Sequence, residues 1–236
     1  MFRGHPNGLI AAALANMGER FGFYTMMAIL SLFITAKFGL NETTTGYIYA
    51  TFYALIYVLS LVGGVIADRT KNFKGTIMIG LIVMAAGYLM MAVPTPTPVP
   101  NMALYLTITL VGLFVIAFGN GLFKGNLQAL VGQMYDRGNF DDDKRGSGFQ
   151  IFYMFINVGA VVAPFIAPGI RTWWLNQHGY LYNAELPALC HAQLKGTISP
   201  ESVDKFQTWA SEATINTTSV TDLTAFANNY LNIFTE

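Results

Sequence analysis

Polar and charged side chains that could do chemistry occur inside long apolar segments of this chain. Glu19 and Arg20 are adjacent in the middle of the first segment, where an intramembrane charge costs at least ~2.5–3.5 kcal/mol. Asn16, Arg20 and Tyr24 recur every four residues, so they share one face if the segment is helical. A carboxylate, a guanidinium, an amide and a phenol in one place could bind an anion, exchange a proton or pair with one another.

Three later segments repeat the pattern of one polar face. The stripes consist of Tyr49, Tyr53 and Tyr57, of Asn120, Lys124 and Gln128, and of Gln150, Tyr153 and Asn157. We interpret the four faces together as the lining of a wet path for a substrate or an ion. The structural alternatives are a buried ion pair at Glu19, packing tyrosines, and a Lys124 side chain that reaches the membrane surface.

A bundle of membrane helices must position these residues. Only 11% of the 236 residues are charged, whereas soluble domains carry about 25%. About 20 apolar residues cross a ~30 Å hydrocarbon core, and a lipid-exposed backbone must be helical to satisfy its own hydrogen bonds. We therefore predict an all-α membrane protein with five spans. They cover about residues 8–36, 45–67, 75–94, 102–134 and 147–170.

The distribution of lysine and arginine predicts the orientation of these spans. One side of the membrane collects Arg3, Arg69, Lys71, Lys74, Arg137, Lys144 and Arg145, and the other collects Lys37. Cytoplasmic loops carry the excess of positive charge. We therefore expect the protein to be integral to the plasma (cell inner) membrane, with its N-terminus in the cytoplasm and residues 171–236 outside.

Residues 171–236 differ in kind from residues 1–170. They hold 9 charges in 66 residues and no apolar run of spanning length. Ser199-Pro200-Glu201 has the composition of a helix start, and Ser219 to Asp222 resembles a capping box. We expect two or three short amphipathic helices in an outer, extracellular or periplasmic segment.

Composition also excludes several classes of function. The 13 basic and 13 acidic residues balance, so no basic excess is available to neutralise nucleic-acid phosphates. A single cysteine, Cys190, and the isolated His5, His178 and His191 predict neither a metal site nor a cofactor. Because no carboxylate pair or Ser/His constellation is evident, we do not expect an enzyme.

Four motifs in this chain resemble those of the proton-coupled oligopeptide transporter family of the major facilitator superfamily, and they occur in the family's order. They are NMGERFGFY (16–24), GGVIADR (63–69), GNGLFKGN (119–126) and FYMFINVGA (152–160). The resemblance covers about residues 10–170. It implies proton-driven uptake of di- and tripeptides by alternating access, with short peptides, protons and the lipid bilayer as partners.

The resemblance also assigns roles to particular residues. It implies that Arg20, Tyr24, Tyr57, Lys124 and Asn157 line the peptide site. Cations suit the peptide carboxylate, and amide and phenol groups suit its backbone. Glu19 is the expected proton-coupling residue, and we expect peptide binding at Arg20 to free it to take up a proton.

The chain departs from the family pattern in its residues and in its length. Asn16 stands where the family has an acid, Phe23 replaces a tyrosine, and Met27 occupies a place where relatives often have arginine. The family has twelve or more spans in two halves, so we expect the C-terminal half to be absent from this chain. A relative that takes nitrate or another small anion is one alternative. A non-transporting membrane scaffold or partner subunit and an intramembrane enzyme are the others.

Overall fold

The computed structural model describes residues 4–138, 140–215 and 219–236. These residues form eight α-helices. They are α1 (Gly8–Phe38), α2 (Glu42–Thr70), α3 (Phe73–Met91), α4 (Met102–Arg137), α5 (Asp142–Gln177), α6 (Leu186–Leu194), α7 (Pro200–Glu212) and α8 (Leu223–Thr235).

Helices α1 to α5 are long and apolar enough to cross a membrane, which confirms the predicted all-α membrane fold with five spans. Their outward surfaces are apolar: Leu61, Leu89 and Phe165 are 74%, 72% and 77% exposed. Large apolar surfaces of this kind are favourable in contact with lipid and unfavourable in contact with water. Helices α1, α2, α4 and α5 extend beyond the predicted spans, α4 to Arg137 and α5 to Gln177, whereas α3 ends at Met91, before the predicted residue 94.

The chain divides into two compact units. The first contains Met1–Thr25, Ala50–Val93 and Thr107–Pro164, and the second contains Met26–Tyr49, Pro94–Leu106 and Phe165–Glu236. The division at residue 170 expected from composition therefore does not coincide with the packing. The second unit combines the soluble-type helices with one end of α1, α2, α4 and α5.

Close backbone packing joins α4 to α2 and α3 in the first unit. A Cβ atom added to Gly63 would collide with the Gly121 carbonyl of α4, and one added to Gly80 would lie 2.7 Å from the Gly119 oxygen. Only glycine permits this approach. Asn126 of α4 reinforces it, because its Nδ2 donates to the Gly63 carbonyl at 3.0 Å. Helix α4 is thereby fixed in rotation, which determines where its polar side chains point.

Helices α6, α7 and α8 share one core in the second unit. Phe206, Ala210, Ala227 and Leu231 are fully buried there. Three helices thus agree with the expected two or three. The N-cap of α8 is Asp222, whose Oδ1 accepts from the Thr224 and Ala225 amides, so the capping box predicted to start at Ser219 is wrong.

Helix α6 is attached to the end of α1 through His191. The Nε2 atom of His191 donates to the Ala36 carbonyl at 2.6 Å. Gly39, with a φ of +60°, passes so close to the imidazole that an added Cβ would lie 2.7 Å from it. The ring is buried, and its Nδ1 has no hydrogen-bond partner among the described residues.

This attachment should weaken in acid. Burial lowers the pKa of His191 from its usual range; the Ala36 carbonyl opposes the shift and Lys195 adds to it. A lowered folded-state pKa means that the stabilisation is complete above about pH 6.5 and is lost as the pH falls through the folded-state value. We expect the α6 amides to exchange faster at about pH 5 than at about pH 7.5 once each rate is divided by the intrinsic exchange rate at that pH.

His191→Gln provides the matched control, because its amide can donate to Ala36 without titrating. Its exchange rates should show no such dependence beyond the intrinsic effect of pH on amide exchange. Equal corrected rates for the original chain at both pH values would contradict the prediction.

Candidate functional site

A bidentate ion pair lies in the middle of α1, within the first unit. Arg20 Nε donates to Glu19 Oε2 at 2.5 Å, and Nη2 donates to Oε1 at 2.7 Å. The side chains of Arg20 and Glu19 are 7% and 3% exposed. Residues adjacent on a helix point about 100° apart, so both side chains bend to meet. The geometry is that of a strong charge-assisted pair.

Helix α4 supplies a second partner to the same carboxylate. Asn120 Nδ2 donates to Glu19 Oε1 at 2.5 Å, and it lies 3.9 Å from the sulfur of Met84 on α3. Asn120 is completely buried. Its Oδ1 has no hydrogen-bond partner among the described residues. Glu19 is therefore held by α1 and α4 together.

Lys124 lies one helical turn beyond Asn120 and faces α2. Its Nζ is 4.4 Å from the centroid of the Tyr57 ring, a cation–π distance, and the Tyr57 hydroxyl lies 3.1 Å from that of Tyr53. In the part of the chain that the structure describes, Lys124 has no carboxylate within ion-pair distance.

The site as a whole carries an excess positive charge. Glu19, Arg20 and Lys124 interact electrostatically with one another, and they sum to one net positive charge. Lys124, the cation in excess, is half-buried, and a charge inside a spanning segment is costly unless a counter-ion neutralises it. The arrangement is therefore suited to receive one negatively charged group.

The structure brings together only some of the predicted site residues. Glu19 and Arg20 of α1 pair with each other. Lys124 of α4 contacts Tyr57 of α2, one helical turn from the Asn120 that binds Glu19. Tyr24 is exposed and packs edge-on against Phe23 with ring centroids 5.4 Å apart. Asn157 of α5 is also exposed. Within the described ranges, no hydrogen bond connects either residue to the group around Glu19.

Sequence reasoning missed the part played by Asn120. It placed this residue in one stripe with Lys124 but gave it no role, because a stripe does not say which side chain meets a neighbouring helix. The available signal was an amide side chain between two glycines of a spanning helix, since glycines mark where another helix packs closely. Asn126 is the other buried asparagine of α4, and its contact with Gly63 makes it a structural link between helices.

Five helices able to span a membrane and an ion pair inside one of them define a helical membrane protein with a charged site within its spanning segments. The chain belongs to the POT family, whose family model matches residues 74–191. That range includes Lys124 and Asn157, and the match confirms the resemblance drawn from the four motifs.

Individual relatives agree with this assignment. The chain is 32% identical over 164 residues to dipeptide and tripeptide permease A of Chromobacterium violaceum, and 34% identical over 172 residues to the di-/tripeptide transporter of Lactococcus lactis. Each match covers 70% of this chain but 30% and 32% of the relative. The chain therefore spans about a third of the length of these curated relatives.

A solved structure provides the same picture in three dimensions. The crystal structure of tetrameric PepTSo2 matches 97% of this chain with a TM-score of 0.63 and 26% sequence identity. The match covers 49% of that chain. The eight helices together therefore correspond to about half of that solved chain.

Proposed function

We propose that this chain is the N-terminal part of a secondary active transporter that takes up di- and tripeptides together with protons by alternating access. The observation that carries the proposal is the excess positive charge of Lys124 beside the Glu19–Arg20 pair in the spanning segments. The names of the relatives add the substrate class. The complete transporter, of which this chain is one part, acts as a carrier of its substrate and not as an enzyme.

The proposed peptide site uses groups that every short peptide can satisfy. All peptides share a carboxylate, and Lys124 and Arg20 supply cations for it. Asn157 and the hydroxyls of Tyr24 and Tyr57 pair with backbone amides and carbonyls. The aromatic rings accept varied side chains, since apolar contact requires no fixed partner.

The proposed proton site is Glu19. Its carboxylate shares the guanidinium of Arg20 through two short hydrogen bonds. A peptide carboxylate that competes for Arg20 leaves Glu19 with less stabilisation of its charge, and Glu19 then takes up a proton. Peptide and proton are thereby coupled through one shared cation.

In this proposal the C-terminal half of the transporter supplies the other side of the peptide site. Tyr53 and Tyr57 are exposed although they lie inside a spanning helix and form a hydrogen-bonded pair. Lipid offers such hydroxyls no partner. A second helical bundle that covers this face would supply polar contacts, and the length of the relatives leaves room for one.

Uptake by the complete protein in proteoliposomes tests this function. We expect a labelled dipeptide to accumulate when the outside is acidified, and a protonophore to abolish the accumulation. Unlabelled tripeptide should compete with it, whereas nitrate should not. Competition by nitrate would favour an anion carrier, and a protein that carries neither substrate would be a scaffold.

We also propose that the N-terminus is cytoplasmic and that α6, α7 and α8 lie outside the plasma membrane. Cys190 is buried and can be replaced by serine to provide a cysteine-free background. In that background a membrane-impermeant thiol reagent added to intact cells should label Glu201→Cys, and it should label Asp142→Cys only after permeabilisation. Labelling of Asp142→Cys in intact cells would reverse the assignment.

A further inference from the structure

Asn120 has a buried side-chain oxygen, Oδ1, that the proposed peptide site does not use. Buried polar atoms in proteins are nearly always hydrogen-bonded. Asn120 Oδ1 is an exception, although its companion Nδ2 makes a 2.5 Å bond to Glu19. Among the described residues no donor reaches this acceptor, and it lies on the same amide that already contacts the carboxylate.

A carboxyl group changes its requirements when it takes up a proton. The ionised form only accepts hydrogen bonds, whereas the neutral form has one O–H that must find an acceptor. The charged and titratable groups around Glu19 do not accept from it in the described structure. Arg20 on α1 and Lys124 on α4 are cations, and the hydroxyl of Tyr88 on α3 makes no hydrogen bond with Glu19. Tyr53 on α2 makes its hydrogen bond with Tyr57 and interacts with Arg20 and Lys124 only electrostatically.

We propose that Asn120 is a positioning residue that serves Glu19 in both of its protonation states. Its Nδ2 holds the ionised carboxylate, as the structure has it. When a proton from the outer solution forms the Oε1–H bond, the side-chain amide of Asn120 rotates by half a turn, and Oδ1 accepts that O–H. The carboxyl charge falls from −1 to zero, so Glu19 no longer competes with the peptide carboxylate for Arg20.

The inference rests on the proposed function only in giving Glu19 the transported proton. It goes further, because it makes an uncharged residue of α4 responsible for stabilising both forms. The alternative is that Asn120 merely connects α4 to α1, as Asn126 connects α4 to α2.

A pair of isosteric substitutions separates these roles. Threonine and valine have nearly the same shape, but only threonine has a hydroxyl, which can both donate and accept. In the complete transporter, we expect Asn120→Thr to retain pH-dependent accumulation. Asn120→Val should lower uphill accumulation about ten-fold while it changes peptide exchange, which moves no net proton, less than about two-fold.

The same two substitutions at Asn126 serve as the matched control. This residue is buried on the same helix but contacts only backbone carbonyls. Asn126→Val should lower the amount of folded protein and should leave the pH profile of the remaining activity unchanged. If Asn120→Thr and Asn120→Val behave alike, the residue is only a structural connector, and our proposal is wrong.

An infrared measurement on the complete protein tests the contact without any transport. The protein is placed in lipid nanodiscs at a pH low enough to protonate Glu19, and the carboxylic C=O band of Glu19 is identified by its loss in Glu19→Gln. We expect this band at a hydrogen-bonded frequency in the original chain and in Asn120→Thr, and at a higher frequency in Asn120→Val. An unchanged band would refute the contact. A shifted band with no peptide uptake by the original protein would instead refute the proposed function.

Discussion

Replacement of Lys124 by alanine should abolish driven peptide uptake while membrane insertion stays intact. Lys124 is the one cation of the described site that has no carboxylate partner, and it lies against Tyr57 inside a spanning helix. A charge-assisted hydrogen bond contributes about 1.5–3 kcal/mol, which corresponds to roughly a 10- to 150-fold loss of rate. Accumulation of a labelled dipeptide in proteoliposomes, at matched protein content, measures the effect.

Two further variants make this result specific. Lys124→Arg retains the charge and should preserve part of the uptake, since a guanidinium also binds a carboxylate. Lys74→Ala removes a lysine that is exposed at the start of α3 and should leave uptake unchanged. Accumulation by Lys124→Ala at the level of the original protein would exclude Lys124 from the peptide site.

Glu19→Gln should flatten the pH dependence of uptake and spare peptide exchange. Glutamine has the shape of the neutral acid but cannot release a proton. A gradient of one pH unit provides about 1.4 kcal/mol for each proton carried, or about ten-fold accumulation. We therefore expect about a ten-fold loss of uphill accumulation at such a gradient. The measurement compares uphill uptake with exchange at several external pH values.

Introduction of an acid at Asn16 tests whether proton coupling depends on carboxylates of α1. Asn16 is buried one turn before Arg20 on α1, and it stands where the family has an acid. Asn16→Glu should steepen the pH dependence, and Asn16→Gln, which adds the same length without an acid, should not. If Glu19→Gln leaves the pH profile of uphill uptake unchanged, the proton is carried by other residues of the complete transporter.

The spanning helices were predictable from the sequence because the signal is local. A run of apolar residues must leave water whatever surrounds it, and its backbone must then be helical. The ends were less predictable, since α5 continues to Gln177 through Arg171, a charged residue whose guanidinium lies over the Tyr182 ring. That contact becomes visible only when the chain is folded.

The outer segment illustrates the same limit. Composition separated residues 171–236 from the rest, but packing assigns them to one unit with the ends of four spanning helices. The reason is a pair of contacts distant in sequence. His191 donates to the Ala36 carbonyl. The side-chain amide of Asn232 in α8 accepts from the backbone N–H of Thr97 and donates to the Thr97 carbonyl.

The sequence by itself determined the class of fold, the polar faces and the family, since each follows from residue types at short, regular spacing. Only the tertiary structure decided that Arg20 turns to Glu19, that Asn120 reaches the same carboxylate and that Lys124 rests on Tyr57. Those contacts depend on the rotation of one helix against another. Glycine contacts such as Gly63 with Gly121 fix that rotation, and helical spacing alone contains no information about it.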